Sequence, residues 1–449
     1  MHLVEVGGRK ILLDCGRTPG PRAESRRRTA SFPFHPHEIS AVILSHAHMD
    51  HSGNLPHLVR QGFGGPIYCT PATRDLIAVM LGDSARFQEE DARVLRILDR
   101  DGDAEAVQAL ASREDVGRTV RLCVPVRYGE TREVVPGVSL RFAEAGHILG
   151  SAMVALTFHG DGPERRVTFT GDLGRRGLPL LRDPAPVPEA DLIICECTYG
   201  GRVHESLDRM TDELVEVVKR TVARGGRVLV PAFSLGRTQI VVSCLREAMR
   251  EGRLPEVPVY VDSPLAADVA DVYRGHPDCL DEKSSRRLAR GDDPLDSDGV
   301  YYVRDTDESK ELAESRGPCV IVAAGGMCEG GRILRHLREN IDDPRSSVVL
   351  VSYQAPGSLG ARLKEPRPTV RFHGRDWNLW ADVVEVSGFS GHADRNDLLA
   401  HLRPLAGRAR RVRLVHGDPE QADALAESLR AEGFADVGVP APGETVSLA

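Results

Sequence analysis

Ala41-Val-Ile-Leu-Ser-His46-Ala-His48-Met-Asp50-His51-Ser-Gly53 is the stretch from which both fold and chemistry are read. The apolar run Ala41 to Leu44 predicts a buried strand, and it ends directly in a polar cluster. Three histidines and an aspartate fall within six residues. In an extended segment, positions two apart point the same way, so the spacing predicts that His46, His48 and Asp50 converge on one point. His51 then starts a turn into a helical stretch beginning at Gly53. Neutral imidazoles and a carboxylate suit zinc and similar first-row metals, so the cluster reads as a metal site rather than a solvated loop.

The same sentence structure, an apolar strand closed by a metal-ligand or acid–base residue, recurs along the chain. Leu3 to Asp14 reads as a β-hairpin around Gly7-Gly8, closed by Asp14. Strands lead into His147, Asp172 and Glu196, and far downstream Val383 leads to His392 and Val412 to His416. One such strand end is weak evidence; the set together predicts one edge of a β-sandwich carrying a site on its loops. Between about 205 and 375 the pattern changes to strand, Gly-rich turn and helix, which predicts a parallel α/β sheet inserted into the first domain. Residues 17 to 37 read as loop, 73 to 99 as a long helix, 100 to 118 as a second, exposed helical piece, and 278 to 298 as a charged loop.

The chain has 449 residues, enough for two domains with substantial cores. It is 41% hydrophobic and 28% charged, in the range of globular domains, and no apolar run is long enough for a membrane span. The first residues lack a secretory pattern. Nine cysteines without a C-x-x-C pair fit reduced thiols in a cytoplasm. A net charge of −8 does not advertise a nucleic-acid binder, although a local groove can differ from the whole. The arginines, which far outnumber the lysines, are spread over the whole chain and read as coding bias.

With these residues in place, the chain resembles the metallo-β-lactamase superfamily in His46-x-His48-x-Asp50-His51, His147, Asp172 and His416. It looks specifically like the β-CASP ribonucleases, the group that includes RNase J and the endonuclease of messenger 3′-end processing. That likeness rests on Glu196 in Glu-Cys-Thr-Tyr-Gly, on His392 in Ser-Gly-His-Ala-Asp and on His416 in Val-His-Gly. It extends to Pro231-Ala-Phe-Ser-Leu-Gly-Arg-Thr-Gln239, Asp262-Ser-Pro-Leu and Gly326-Met-Cys-Glu-Gly-Gly-Arg332. The resemblance implies an α/β protein, an αββα metallo-β-lactamase sandwich with an inserted α/β β-CASP domain. Residues 1–204 and 376–449 would form the sandwich and 205–375 the insert.

The resemblance also implies a ligand set for two Zn2+, with Mn2+ an alternative. One ion would take His46, His48, His147 and Asp172; the other Asp50, His51, His416 and the shared Asp172. Asp14 would orient an imidazole through its second nitrogen. Asp50 also counts among the catalytic residues, with Glu196 and His392. Two metals can activate a hydroxide and clamp a phosphate, while an imidazole outside the ligand set suits a general acid. A carboxylate such as Glu196 raises the pKa of that imidazole. The insert would wall a cleft, with Ser234, Arg237, Gly325 and Gly326 meeting phosphates; relatives often have Ser at the position of Gly325. His416 favours single-stranded RNA over DNA as substrate. A DNA nuclease of the same fold, a non-catalytic RNA-binding scaffold and a small-ester hydrolase are the competing readings. The resemblance further implies a homodimer, and relatives carry one more strand ahead of the position of Met1, so an upstream start is an expectation.

Overall fold

The computed structural model describes residues 1–18, 22–98, 109–296, 298–386 and 388–448. The chain divides into two compact units: Met1–Arg175 with Asp183–Arg202 and His392–Ala449, and Arg176–Arg182 with Val203–Gly391.

The first unit contains two sheets. In the five-stranded sheet, His2–Val6 and Arg9–Leu13 form the expected hairpin, followed in order by Ile39–Ile43, Ile67–Cys69 and Cys123–Pro125. Gly7 and Gly8 both have positive φ, 53° and 73°, the conformation a two-residue hairpin turn demands. The seven-stranded sheet runs Val437–Gly438, Arg411–Val415, Leu192–Glu196, Arg165–Phe169, Ala152–Phe158, Val138–Glu144 and Thr131–Val135. Strand alternation sends Ile11, Leu13, Ala41 and Ile43 from one sheet against Leu140, Phe142, Val154 and Phe169 from the other. The outer face of the larger sheet, through Ile193, Cys195, Val412 and Leu414, packs on Leu398 and Leu402 of the helix Arg395–Leu402 and on Leu425 and Leu429 of the helix Pro419–Ala431. Leu12 and Val42, on the other side of their strands, are also fully buried. Helices Leu55–Arg60, Pro71–Leu98 and Arg113–Leu122 belong to that smaller sheet's side of the unit. The result is the expected αββα order, and strands buried on both faces explain why their sequences are continuous apolar runs.

The second unit is a six-stranded sheet in the order Val300–Tyr302, Val259–Asp262, Cys319–Ala324, Arg227–Ala232, Ser347–Leu350 and Asp382–Glu385, every pair parallel. Its helices include Leu207–Ala223, Arg237–Arg250, Pro264–Gly275 and Ile333–Asn340. A two-stranded ribbon, Thr369–Phe372 with Arg375–Asn378, precedes the last strand.

Several expectations are corrected here. The insert does not end at 375. Asp382–Glu385 pairs with Ser347–Leu350, so the chain leaves the second unit only after Gly391, and residues 176–182 belong to that unit as well. The strand ahead of His392 is therefore not a strand of the sandwich. The predicted loop over 17 to 37 contains the helix Arg22–Thr29, its three arginines in the last turn complementing the helix dipole. Of the piece expected at 100 to 118, residues 100–108 lie outside the described residues, as does residue 99 at the end of the expected long helix. The helix that is described, Arg113–Leu122, starts in a capping box of Ser112 and Asp115 and buries Val116 and Thr119. The charged stretch 278 to 298 holds the helix Glu282–Leu288, capped by Asp281. Finally, Asp50 is not in an extended segment: the helix Met49–Ser52 begins just before it.

Candidate metal centre

The loops that leave the two sheets of the first unit at one end carry the titratable groups. Asp14 follows Arg9–Leu13 with φ of 58°, and its buried carboxylate accepts hydrogen bonds from Ser45 N and Ser45 Oγ, each 2.7 Å. It also lies 2.6 Å from His51 Nδ1, which fixes that ring with Nε2 facing away from Asp14. Burial pushes the Asp14 carboxyl up, but the hydrogen bond and charge of His51 hold it below its ordinary value. The backbone after Asp14 lies against the helix Met49–Ser52, with Cys15 N donating to His51 O and Arg17 N to Met49 O. Gly16 has no room for a side chain, since a Cβ there would stand 1.4 Å from Asp50 O.

Two groups of ligand-type atoms result. In the first, His46 Nε2 is 3.2 Å and His147 Nε2 3.1 Å from His48 Nδ1, and both are near Asp172 Oδ2, at 3.4 and 3.6 Å. In the second, His416 Nε2 is 3.2 Å from both His51 Nε2 and Asp50 Oδ2. Asp172 Oδ1 closes it, 3.2 Å from His51 Nε2. Asp172 thus offers one oxygen to each group. Asp50, expected beside His46 and His48, falls instead in the second group, because the helix turns its side chain away from the strand direction.

These atoms fit divalent cations. A tetrahedral zinc with bonds of about 2.0–2.1 Å sets its ligand atoms roughly 3.3 Å apart, close to the spacings above. Buried His147 Nδ1 and Asp172 Oδ1 have no hydrogen-bond partner. His46, His48 and His147 are pushed toward the neutral form, first by burial and then by neighbouring imidazoles, with His48 lowered to about 3. Neutral rings keep their lone pairs available for a metal. The second group is richer in carboxylate. The charge of Asp172 raises His416 to about 9, and in His51 the carboxylates of Asp172 and Asp14 outweigh burial and raise it well above its ordinary value. Protons gather where negative charge is in surplus, which is also where a cation is held.

Beside these groups, Glu196 ends the strand Leu192–Glu196 fully buried. Its Oε1 accepts from Leu173 N at 2.8 Å and lies 3.0 Å from His392 Nδ1; its Oε2 accepts from Thr198 N at 3.0 Å. Burial lowers the His392 pKa, but Glu196 by charge and hydrogen bond raises it above the ordinary value. The His392 ring packs on that of His147, centroids 4.4 Å apart. Sequence reasoning missed Thr198, whose Oγ1 lies 3.1 Å from His416 Nδ1 and donates to His416 O at 2.9 Å. It stands in the turn just past Glu196, and its place in the Glu-Cys-Thr-Tyr-Gly stretch is the one signal that pointed to it. Ser45, next to His46 and bonded to Asp14, was likewise passed over.

Ser234, Arg237, Gly325 and Gly326 belong to the second unit. Ser234 and Gly325 follow the adjacent strands Arg227–Ala232 and Cys319–Ala324, and Ser234 Oγ is 3.1 Å from Ser263 Oγ. Arg237 opens the helix Arg237–Arg250. Gly325 has φ of 116°, and a Cβ there would stand 2.0 Å from Gly330 O, so this loop conformation does not admit the Ser of relatives.

Known families match in three segments: the metallo-beta-lactamase superfamily over residues 1–221, the Beta-Casp domain over 238–363, and the Zn-dependent metallo-hydrolase RNA specificity domain over 378–440. Ribonuclease TTHA0252 of Thermus thermophilus is 38% identical over 432 residues, covering 96% of this chain and 93% of its own length. Transcription termination factor FttA of Methanothermobacter thermautotrophicus is 32% identical over 450 residues, covering 98% of this chain and 68% of the longer relative. The FttA of Methanosarcina mazei is 33% identical over 436 residues, 94% of this chain and 65% of its own.

Proposed function

Because the chain belongs to the metallo-β-lactamase superfamily and carries its Beta-Casp domain, we propose that it is a metal-dependent ribonuclease cutting single-stranded RNA. The observation that carries the reading is the bridging position of Asp172 between two groups of imidazoles spaced as metal ligands are. His46, His48, His147 and Asp172 would hold one zinc, and Asp50, His51, His416 and Asp172 a second, manganese being the alternative. When bound, such ions supply charge relief on the phosphate and lower the pKa of water.

The chain's own residues do the rest. Hydrolysis forms a bond from water oxygen to phosphorus and breaks the bond to one nucleoside oxygen, which leaves as an alkoxide and needs a proton. His392 supplies it from Nε2, while Nδ1–H stays on Glu196. Glu196 favours the protonated ring and holds it in one orientation. The Asp50 carboxylate, held ionised mainly by its hydrogen bond with His416 against the effect of burial, accepts a hydrogen from the attacking water. Asp14 and Thr198 orient His51 and His416. Ser234, Arg237 and the Gly325-Gly326 turn serve as phosphate contacts. No disulfide joins the nine cysteines, which suits a reducing cytoplasm.

End-labelled single-stranded RNA incubated with the purified protein, with and without chelator, tests the proposal. Cleavage that chelator stops and zinc or manganese restores is expected. Faster cleavage of DNA than of RNA under competition would replace it by the DNA-nuclease reading; no cleavage by metal-loaded protein would leave a scaffold.

A further inference from the structure

Resting on the ribonuclease reading, we infer that Phe233 and Tyr353 form a stacking platform for unpaired bases at the carboxyl edge of the inserted sheet. Strand Arg227–Ala232 pairs directly with Ser347–Leu350, so the loops that follow them emerge side by side, about 4.8 Å apart at the strands. Phe233 is the first residue past one strand, and Tyr353 lies just past the other. Both are large and apolar, yet 42% and 56% exposed. An aromatic ring left in water at the edge of a well-packed sheet gains nothing for the fold, whereas every base has a face to stack on it.

The two loops are held, not loose. Thr238 fixes the Phe233 carbonyl through N and Oγ1, at 3.3 and 2.8 Å. The Phe233 ring leans on Gly326, where a Cβ would stand 3.0 Å from the ring. Gln354, buried beside Tyr353, donates from Nε2 to Gly326 O at 2.8 Å and to Ser352 O at 2.9 Å, tying the loop under Phe233 to the loop of Tyr353. Ser352 Oγ, in that same loop, is buried without a hydrogen-bond partner, a spare polar group next to the stacking faces. Phe233 directly precedes Ser234, and Arg237 opens the helix three residues after that, so the sequence sets a base contact beside the groups assigned to phosphates. An unpaired nucleotide offers both, a flat base and a charged phosphate. Duplex RNA hides its base faces, so the platform selects single strands. Trp380 provides the contrast: it is 58% exposed but precedes the strand Asp382–Glu385 and so lies at the opposite edge of the same parallel sheet.

Steady-state cleavage by the metal-loaded full chain tests this, using a single-stranded RNA and a strand of the same length with abasic riboses throughout. Phe233→Ala and Tyr353→Ala should each lower kcat/KM on the base-bearing strand about tenfold, mainly through KM. Both should leave the abasic strand, itself a poorer substrate for the unaltered protein, unchanged. Phe233→Trp and Tyr353→Phe should retain activity, and Trp380→Ala should behave as the unaltered protein. Equal losses on both strands, or none while the unaltered protein cleaves RNA, would overturn the platform alone. Failure of the unaltered protein to cleave RNA would overturn the ribonuclease reading, and the platform with it.

Discussion

The histidine-lined end of the sandwich and the carboxyl edge of the inserted sheet are both loop clusters on strand ends, yet they are built in opposite ways. The first is titratable and buried at its base: Asp14, His46, His147, Asp172 and Glu196 are each at most 2% exposed, while Asp50 and His416 open to solvent. The second is hydroxyls, glycines and exposed rings. Chemistry requires atoms fixed to within tenths of an ångström and shielded from water, whereas binding requires faces that a strand can reach. Losses in the first region should therefore appear in kcat and metal content, and losses in the second in KM.

The sharpest break in that comparison is Asp172→Ala. Removing the oxygen shared by both groups should release metal and abolish cleavage, a loss of at least about 10³-fold, beyond the roughly 10–100-fold typical of an outer hydrogen-bond partner. Metal analysis beside an RNA cleavage assay reads both effects. His392→Ala should cost about 10²–10⁴-fold in kcat while metal content stays at the unaltered level; a protein that lost metal too would make His392 a ligand.

Glu196→Gln refines the same region. The amide oxygen still accepts Nδ1–H, but the negative charge that raises His392 is gone. A general acid works below its pKa and fails as pH rises through it, so lowering that pKa moves the alkaline limb of the kcat profile to lower pH. A rate loss of about 10–100-fold at neutral pH is expected, with part of the activity recovered on acidification. A uniform loss at every pH would show that Glu196 only orients the ring. Thr198→Val should cost less, about tenfold, by releasing His416 Nδ1.

How much of this the residues alone disclosed follows from locality. The His46–His51 run is contiguous, so a metal site was legible from spacing, and apolar runs closed by polar residues gave the strands. Which group each residue joins was not legible from spacing, because Asp50 falls with His416 through a helix start at Met49 that no capping residue announces: His48 offers no side-chain hydrogen bond as N-cap. The return point of the chain was misread because Asp382–Glu385 looks like any sandwich strand; only its pairing with Ser347–Leu350 places it in the insert. Thr198 and Phe233 stood inside quoted motifs and Tyr353 outside them, but the roles of all three depend on exposure and long-range partners.

Charge in the inserted unit serves the scaffold, and Glu247 is where that can be separated from catalysis. Its carboxylate is 16% exposed and takes Arg250 and Lys283 on Oε1 and Arg287 on Oε2, at 2.5, 2.6 and 2.9 Å. Burial pushes its pKa up, but these hydrogen bonds, Arg250 first, bring it down to about 2 from an ordinary 4.5. A carboxyl depressed on folding stabilises the fold fully above 4.5 and loses that contribution as pH falls through about 2. Arg250 and Lys283 are well exposed, so solvent screens the gain, and Glu247→Gln should cost only about 1 kcal/mol near neutrality. Thermal melts across pH should show the variant and the unaltered protein converging toward pH 2, with kcat on RNA equal at neutral pH. A constant gap down to that pH would mean that Glu247 acts by packing, and a change in kcat would mean that the two regions are less independent than their construction implies.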